Sequence, residues 1–99
     1  MTNTVLLDNI DADDTSSEFI ARGGAFLAIV RATAFSTGIV TIQIASVNDA
    51  LNRWTTLTDG TFTANGQVKI DYLPIGTRLR AVLASADGST DAVYVEILQ

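Results

Sequence analysis

From Gly38 to Ala86 hydrophobic residues recur on a two-residue beat, interrupted at Asp59-Gly60, Asn65-Gly66 and Asp87-Gly88. A period of two turns successive side chains to opposite faces of an extended chain, and Asx-Gly pairs supply the positive φ that tight hairpin turns need. The pattern predicts an all-β chain built from hairpins.

The individual runs assign the faces. Val40, Ile42 and Ile44 fall on one side of a strand over 39–47, with Thr41, Gln43 and Ala45 on the other. Val68, Ile70 and Tyr72 alternate in the same way with Gln67, Lys69 and Asp71. Leu79, Ala81 and Leu83 oppose Arg78, Arg80, Val82 and Ala84, and Val93, Val95 and Ile97 oppose Ala92, Tyr94 and Glu96. The run Phe26-Leu27-Ala28-Ile29-Val30 is apolar at every position, which predicts a strand covered on both sides. Between them, 53–57 and 61–64 are expected as separate strands about a turn at Thr58-Asp59-Gly60. Short strands at intervals of roughly 8 to 12 residues predict an antiparallel β-sandwich of about eight strands, of jelly-roll or immunoglobulin-like type.

Ninety-nine residues make one domain, long enough for a sandwich core without metal or disulfide staples. The chain has no Cys, which removes disulfide frameworks, thiolate zinc sites and cysteine nucleophiles together and leaves the redox compartment open. Asp8, Asp11, Asp13, Asp14 and Glu18 are five of the eleven acids and fall ahead of the first basic residue, Arg22. Residues 1–16 are therefore expected to form an acidic N-terminal arm or loop, with Thr4 to Leu7 as a short strand or docking arm, ahead of a single β-sandwich domain over 17–99. The opening Met1-Thr2-Asn3-Thr4 puts no positive charge before its short apolar run, so neither a secretory signal nor a membrane anchor is expected.

Charged residues are only 17% of the chain, against roughly 25% in ordinary soluble domains. Thr, Ala and Ser fill the difference, and a surface of that kind has little charge to desolvate when it packs against a copy of itself, so a homo-oligomer is expected. The net charge of −5 repels phosphate backbones, and Arg22, Arg31, Arg53, Lys69, Arg78 and Arg80 are scattered, so no nucleic-acid partner is expected.

General acid and base work usually falls to His, which is absent, or to a carboxylate whose pKa burial has raised. Asp71 and Glu96 lie on strands and are the one pair to weigh as glycosidase-like carboxylates, but a domain of this size has little material for a cleft; no catalytic residues and no cofactor are assigned. The stretch Asp8 to Asp14 offers oxygen ligands suited to calcium, yet lacks the glycine turn and closing Glu of an EF-hand loop, so it reads as a solvated acidic loop before a calcium site, with capping of neighbouring turns or pairing with an Arg on another subunit as alternatives. Trp54 is the single Trp, and without coplanar aromatic neighbours it reads as a core residue before a sugar platform. Arg78 and Arg80 share a face with Val82, so their stems cover apolar surface while their guanidinium groups meet acids nearby or on a partner. Asp11, Asp13, Asp14, Arg78 and Arg80 are the candidate partner-binding residues.

Four segments carry a family resemblance. They are the strand Gly38 to Ser46, the return Trp54-Thr55-Thr56-Leu57 with Thr58-Asp59-Gly60, the stretch Leu73-Pro74-Ile75-Gly76-Thr77-Arg78-Leu79-Arg80-Ala81, and the closing strand from Asp91. In this order the region from Gly38 to Ile97 resembles the small β-sandwich virion proteins of tailed bacteriophages, of the capsid decoration (cement) or head-fibre type. The matching positions are packing positions. The resemblance implies a homotrimer on the capsid exterior of the virion that ties neighbouring copies of the major capsid protein together, with the acidic N-terminal segment as a docking arm. An alternative is a carbohydrate- or receptor-binding module of a phage tail fibre, and a further one is a monomeric, immunoglobulin-like cell-surface module.

Overall fold

The computed structural model describes residues 3–99. Nine strands form among them: β1 (Asn3–Ile10), β2 (Asp14–Thr15), β3 (Phe19–Ile20), β4 (Phe26–Arg31), β5 (Ile39–Ala45), β6 (Thr55–Phe62), β7 (Gly66–Ile70), β8 (Arg78–Ala84) and β9 (Val93–Leu98). The described residues contain no helix, and so none long and apolar enough to cross a membrane. All pairings are antiparallel, in a four-stranded sheet ordered β1-β9-β4-β7 and a five-stranded sheet ordered β2-β8-β5-β6 with β3 also on β8. The expected all-β sandwich is the architecture found.

The topology follows from one regularity. β2 and β3 lie end to end along β8, through Asp14 opposite Leu83 and Ile20 opposite Arg78, and serve as a single interrupted strand. The pairs then nest: β5 with β6 innermost, next β4 with β7, then β2 and β3 with β8, and β1 with β9 outermost. The chain is one long antiparallel hairpin rolled into two layers, which is a jelly roll. This corrects the expectation of successive local hairpins. Only β5 and β6 are neighbours both in sequence and in one sheet, while Asn65-Gly66 and Asp87-Gly88 carry the chain across to the other sheet. Alternation and turn residues specify that the chain reverses; they carry no information on which layer the next strand joins.

Thr58-Asp59-Gly60 is likewise no hairpin turn. Thr41 stands opposite Thr61 and Gln43 opposite Thr56, so the intervening residues bulge within a continuous β6, with Asp59 at φ 59°. The bulge bends an edge strand out of the flat geometry that invites a foreign strand.

The core is the set of residues the two sheets turn toward each other. Phe26, Ala28, Val30, Val93, Val95 and Ile97 from one layer meet Val40, Ile42, Leu79, Ala81 and Leu83 from the other, all buried. Burying a Val, Leu, Ile or Phe side chain fully contributes about 1.5–3 kcal/mol, so this face fixes the register: a slip by one residue would turn the whole set to water. Leu27 and Ile29 on the opposite face of β4 remain half-buried, because no second layer covers the outside of the four-stranded sheet. The expectation of β4 covered on both sides fails for that reason.

The N-terminal segment keeps the short strand expected over Thr4 to Leu7 but lengthens it and builds it into a sheet. Met1 and Thr2 lie outside the described residues, and from Asn3 to Ile10 the chain is a strand paired along β9, with Leu7 in the core. Two register shifts bulge it, between Val5 and Leu7 and between Leu7 and Ile10, and Asn9 takes φ 57° at the second. These bulges break the apolar alternation that identifies strands elsewhere. The 1–16 segment is not a separate arm: its described part supplies one sheet edge and, through β2, part of the other sheet.

Candidate interaction surfaces

The outward face of the five-stranded sheet is assembled in rows across its strands. Thr15, Val82, Thr41 and Thr61 form one straight row from β2 to β6. Arg80, Gln43 and Thr56 form the next, and Ile20, Arg78 and Ala45 the last. Thr and Val dominate such a face because β-branched side chains fit a pleated, half-buried surface. The outward face of the four-stranded sheet has rows Asn3, Leu98, Leu27, Lys69 and Val5, Glu96, Ile29, Gln67. There, desolvation and the nearby charges of Glu96 and Asp8 push the Tyr94 hydroxyl pKa upward.

Trp54 does not lie in the core. It is half-buried and shares the outer side with Thr56, where the guanidinium carbons of Arg80 and Arg78 stand 4.4 Å and 5.3 Å from its ring centroid. Alternation already placed Trp54 with Thr56 and opposite Leu57; the size of the side chain suggested the core, but the face assignment was the better guide. Arg80 also donates through Nε to Gln43 Oε1 at 2.7 Å. The ring surface that a sugar would need is thus shared with two arginines of the same chain.

Arg78 is an internal clamp. It donates to Asn52 Oδ1 at 2.7 Å, to the Ser46 carbonyl at 3.0 Å and to the Asp49 carbonyl at 3.2 Å, and its Nη1 reaches Glu18 Oε1 at 3.5 Å. Its side chain is only 14% exposed. The loop it holds is trimmed further by Asp49, whose carboxylate accepts from Arg53 Nε at 3.0 Å and from the Leu51 amide at 3.1 Å; the Arg53 bond holds its pKa below the usual carboxylate value.

The acidic candidates sit at the opposite end of the sandwich. Asp13 Oδ1 accepts from the Ala86 amide at 2.8 Å, and Asp14 Oδ1 accepts from the Thr15 amide at 2.9 Å. Asp14 pairs at Leu83, which at strand rise is roughly 17 Å along β8 from Arg78 and roughly 10 Å from Arg80. The structure does not bring Asp11, Asp13 and Asp14 together with Arg78 and Arg80. Among the described residues no group of three or more acids converges as a metal site would require. Asp87 in the same region accepts from Ser36 Oγ at 2.8 Å and from the Ser89 amide at 2.8 Å; the Ser36 bond is the main reason its pKa lies below the ordinary value.

Asp71 and Glu96 are not a pair. Glu96 lies in the Ile29 row of the four-stranded sheet, and Asp71 follows the end of β7 two strands away; strand spacing and rise put their backbones roughly 15 Å apart, beyond the ~5–9.5 Å of glycosidase carboxylates. No pocket opens on the described surface.

Sequence reasoning gave no sign of the role of Gln99. Its Oε1 accepts from the Arg22 amide at 2.6 Å, and its Nε2 donates to the Gly24 carbonyl at 3.2 Å, so a buried amide pins the loop before β4 to the end of β9. The chain matches no protein-family model, no curated protein and no solved structure.

Proposed function

We propose that this chain is a non-enzymatic structural protein of a tailed-phage virion, a capsid decoration protein that binds the outside of the head as a homo-oligomer and stabilises it. The observation that carries the reading is the outer face of the five-stranded sheet, where the row Thr15, Val82, Thr41 and Thr61 crosses from β2 to β6 without a charge. Such a face loses little hydration free energy when covered, and it has no concave feature to hold a small molecule. Repeated over a lattice, modest contacts of this kind add up to firm attachment. The bulged edges β1 and β6 support the same direction, since they disfavour strand addition and leave faces and ends as the surfaces for partners. Jelly rolls occur in both capsid and lectin domains, so the fold is an analogy that favours neither over the other. The arginines on Trp54 weigh against the sugar-binding alternative.

The test is to purify particles of the virus that encodes the chain, separate heads from tails, and quantify the chain in each by mass spectrometry. Recovery with heads in stoichiometric ratio to the major capsid protein is the expected result. Recovery with tails alone, or binding to host-surface glycans, replaces it with the receptor-binding reading.

A further inference from the structure

Six large hydrophobic side chains are well exposed among the described residues, and five of them, Ile20, Val47, Leu51, Tyr72 and Ile75, gather at one end of the sandwich. Leu51 and Ile75 are each 75% exposed and Tyr72 is 61% exposed. They come from three segments, 18–24 with the short strand β3, the loop 46–54, and 71–78 leading into β8, which meet there. Gly23 lies against the Ile75 side chain and the Tyr72 hydroxyl, and Gly76 lies against Val47. Gly23 at φ 86° and Gly76 at φ 89° occupy backbone geometry that other residues enter only with strain, so these turns are specified by sequence.

The end is rigidly built. Arg78 ties down the loop carrying Val47 and Leu51, and Gln99 ties down the loop carrying Gly23 and Gly24. The amide of Gly76 donates to the Ala21 carbonyl at 2.9 Å, and that of Leu73 to the Gly24 carbonyl at 2.8 Å. Exposed apolar side chains held by polar clamps associate without first losing loop entropy.

Charge decides what meets this end. The three segments hold Arg22, Arg53 and Arg78 against Glu18, Asp49 and Asp71, so their side-chain charges cancel. The rest of the chain holds the other eight acids against three bases, which is the whole of the net −5. Asp11, Asp13, Asp14, Asp87 and Asp91 mark the far pole, about Leu83 on β8 and Ala34 before β5. Two copies of one acidic molecule repel least where charge is balanced or absent, and of such surfaces this end is the one that gathers exposed large apolar side chains. Here the balanced surface is also the apolar one.

We propose that the 18–24, 46–54 and 71–78 end is the surface through which this chain binds further copies of itself, with the acidic poles directed outward. This deepens the homo-oligomeric reading above and rests on its self-association clause alone. Salt screens the repulsion between the acidic remainders, so association tightens as ionic strength rises.

The experiment is sedimentation equilibrium of the full chain over a concentration and salt series, with the variant Leu51→Asp/Ile75→Asp and the controls Val5→Asp and Thr61→Asp on the two sheets. The wild-type mass is expected to be a multiple of 10.5 kDa. In the double variant the dissociation constant rises at least about 100-fold, since each lost burial is worth about tenfold or more. Its thermal midpoint equals that of the wild type diluted until it is monomeric, as both positions are exposed in the single chain, and the controls assemble like the wild type. A wild type monomeric at every concentration and salt overturns the proposal, as does a double variant that stays assembled or a control that alone dissociates. Head binding is scored separately: a monomeric chain still recovered on heads contradicts this self-contact and leaves the decoration role standing, whereas an oligomer lost in the double variant but never recovered on heads does the reverse.

Discussion

Arg80 holds its guanidinium carbon 4.4 Å from the centroid of the Trp54 ring while its Nε donates to Gln43 on the neighbouring strand. One cation thus fastens the residue that leads into edge strand β6 to the two central strands β5 and β8. The consequence is that Trp54 contributes at the surface. Trp54→Ala should cost about 1–2 kcal/mol, well short of the ~3–5 kcal/mol of a core Trp, and a double-mutant cycle with Arg80→Ala should give a coupling of about 0.5–1 kcal/mol. Urea denaturation of the four proteins measures both.

Leu7 packs in the core from a bulged edge strand. Leu7→Ala should therefore destabilise by about 2–5 kcal/mol, as buried leucines do, and removal of residues 1–16 should leave a chain that no longer unfolds cooperatively. Chemical denaturation and circular dichroism read these outcomes. A truncated chain with the full-length midpoint would show that β1 adds nothing.

Gly60 and Gly88 are a contrasting pair. A Cβ at Gly60 would stand 2.8 Å from the Leu57 carbonyl oxygen and 3.2 Å from that of Ile42, both backbone atoms that cannot move aside cheaply, whereas a Cβ at Gly88 would meet nothing within 4 Å. Gly60→Ala should lose about 1–3 kcal/mol as the β6 bulge is forced open, and Gly88→Ala should be neutral or gain up to about 1 kcal/mol by restricting the unfolded chain. Thermal melts of the two variants side by side check the sign of each.

The pH profile should fall at both extremes. Asp87 and Asp49 have folded pKa values below the ordinary aspartate value of 3.8, so the stability they contribute is present above that value and is lost as pH falls through the folded pKa. Tyr94 is raised above 10.0, so its contribution is present below that pH and is lost as pH rises toward the folded value. Asp87→Asn should shallow the acid limb, and Tyr94→Phe the alkaline one, in denaturation midpoints measured across pH.

The alternating residues of β5, β8 and β9 made their inner faces readable, because a period of two and one buried side leave a single register. What sequence could not supply was the layer each strand enters, since a turn at Asn65-Gly66 looks the same whether it closes a hairpin or crosses between sheets. Bulges hid two further features, the full length of β1 and the continuity of β6 through Asp59. Of the candidate partner-binding residues, Arg78 and Arg80 were legible as a face but not as a clamp and a Trp54 stack. Their partners Ser46, Asp49, Asn52 and Gln43 lie 26 or more positions away in the chain. The apolar end left no trace in the pattern at all, since Ile20, Val47, Leu51, Tyr72 and Ile75 are separate in sequence and are gathered only by nested pairing.

The most direct measurement is to add the purified chain to phage heads that lack it and follow DNA release during heating. Saturable binding together with a higher release temperature is the predicted result for a protein that works by covering and tying a shell. Heads that bind none of the chain, or that bind it and release DNA at the same temperature, would contradict the decoration role.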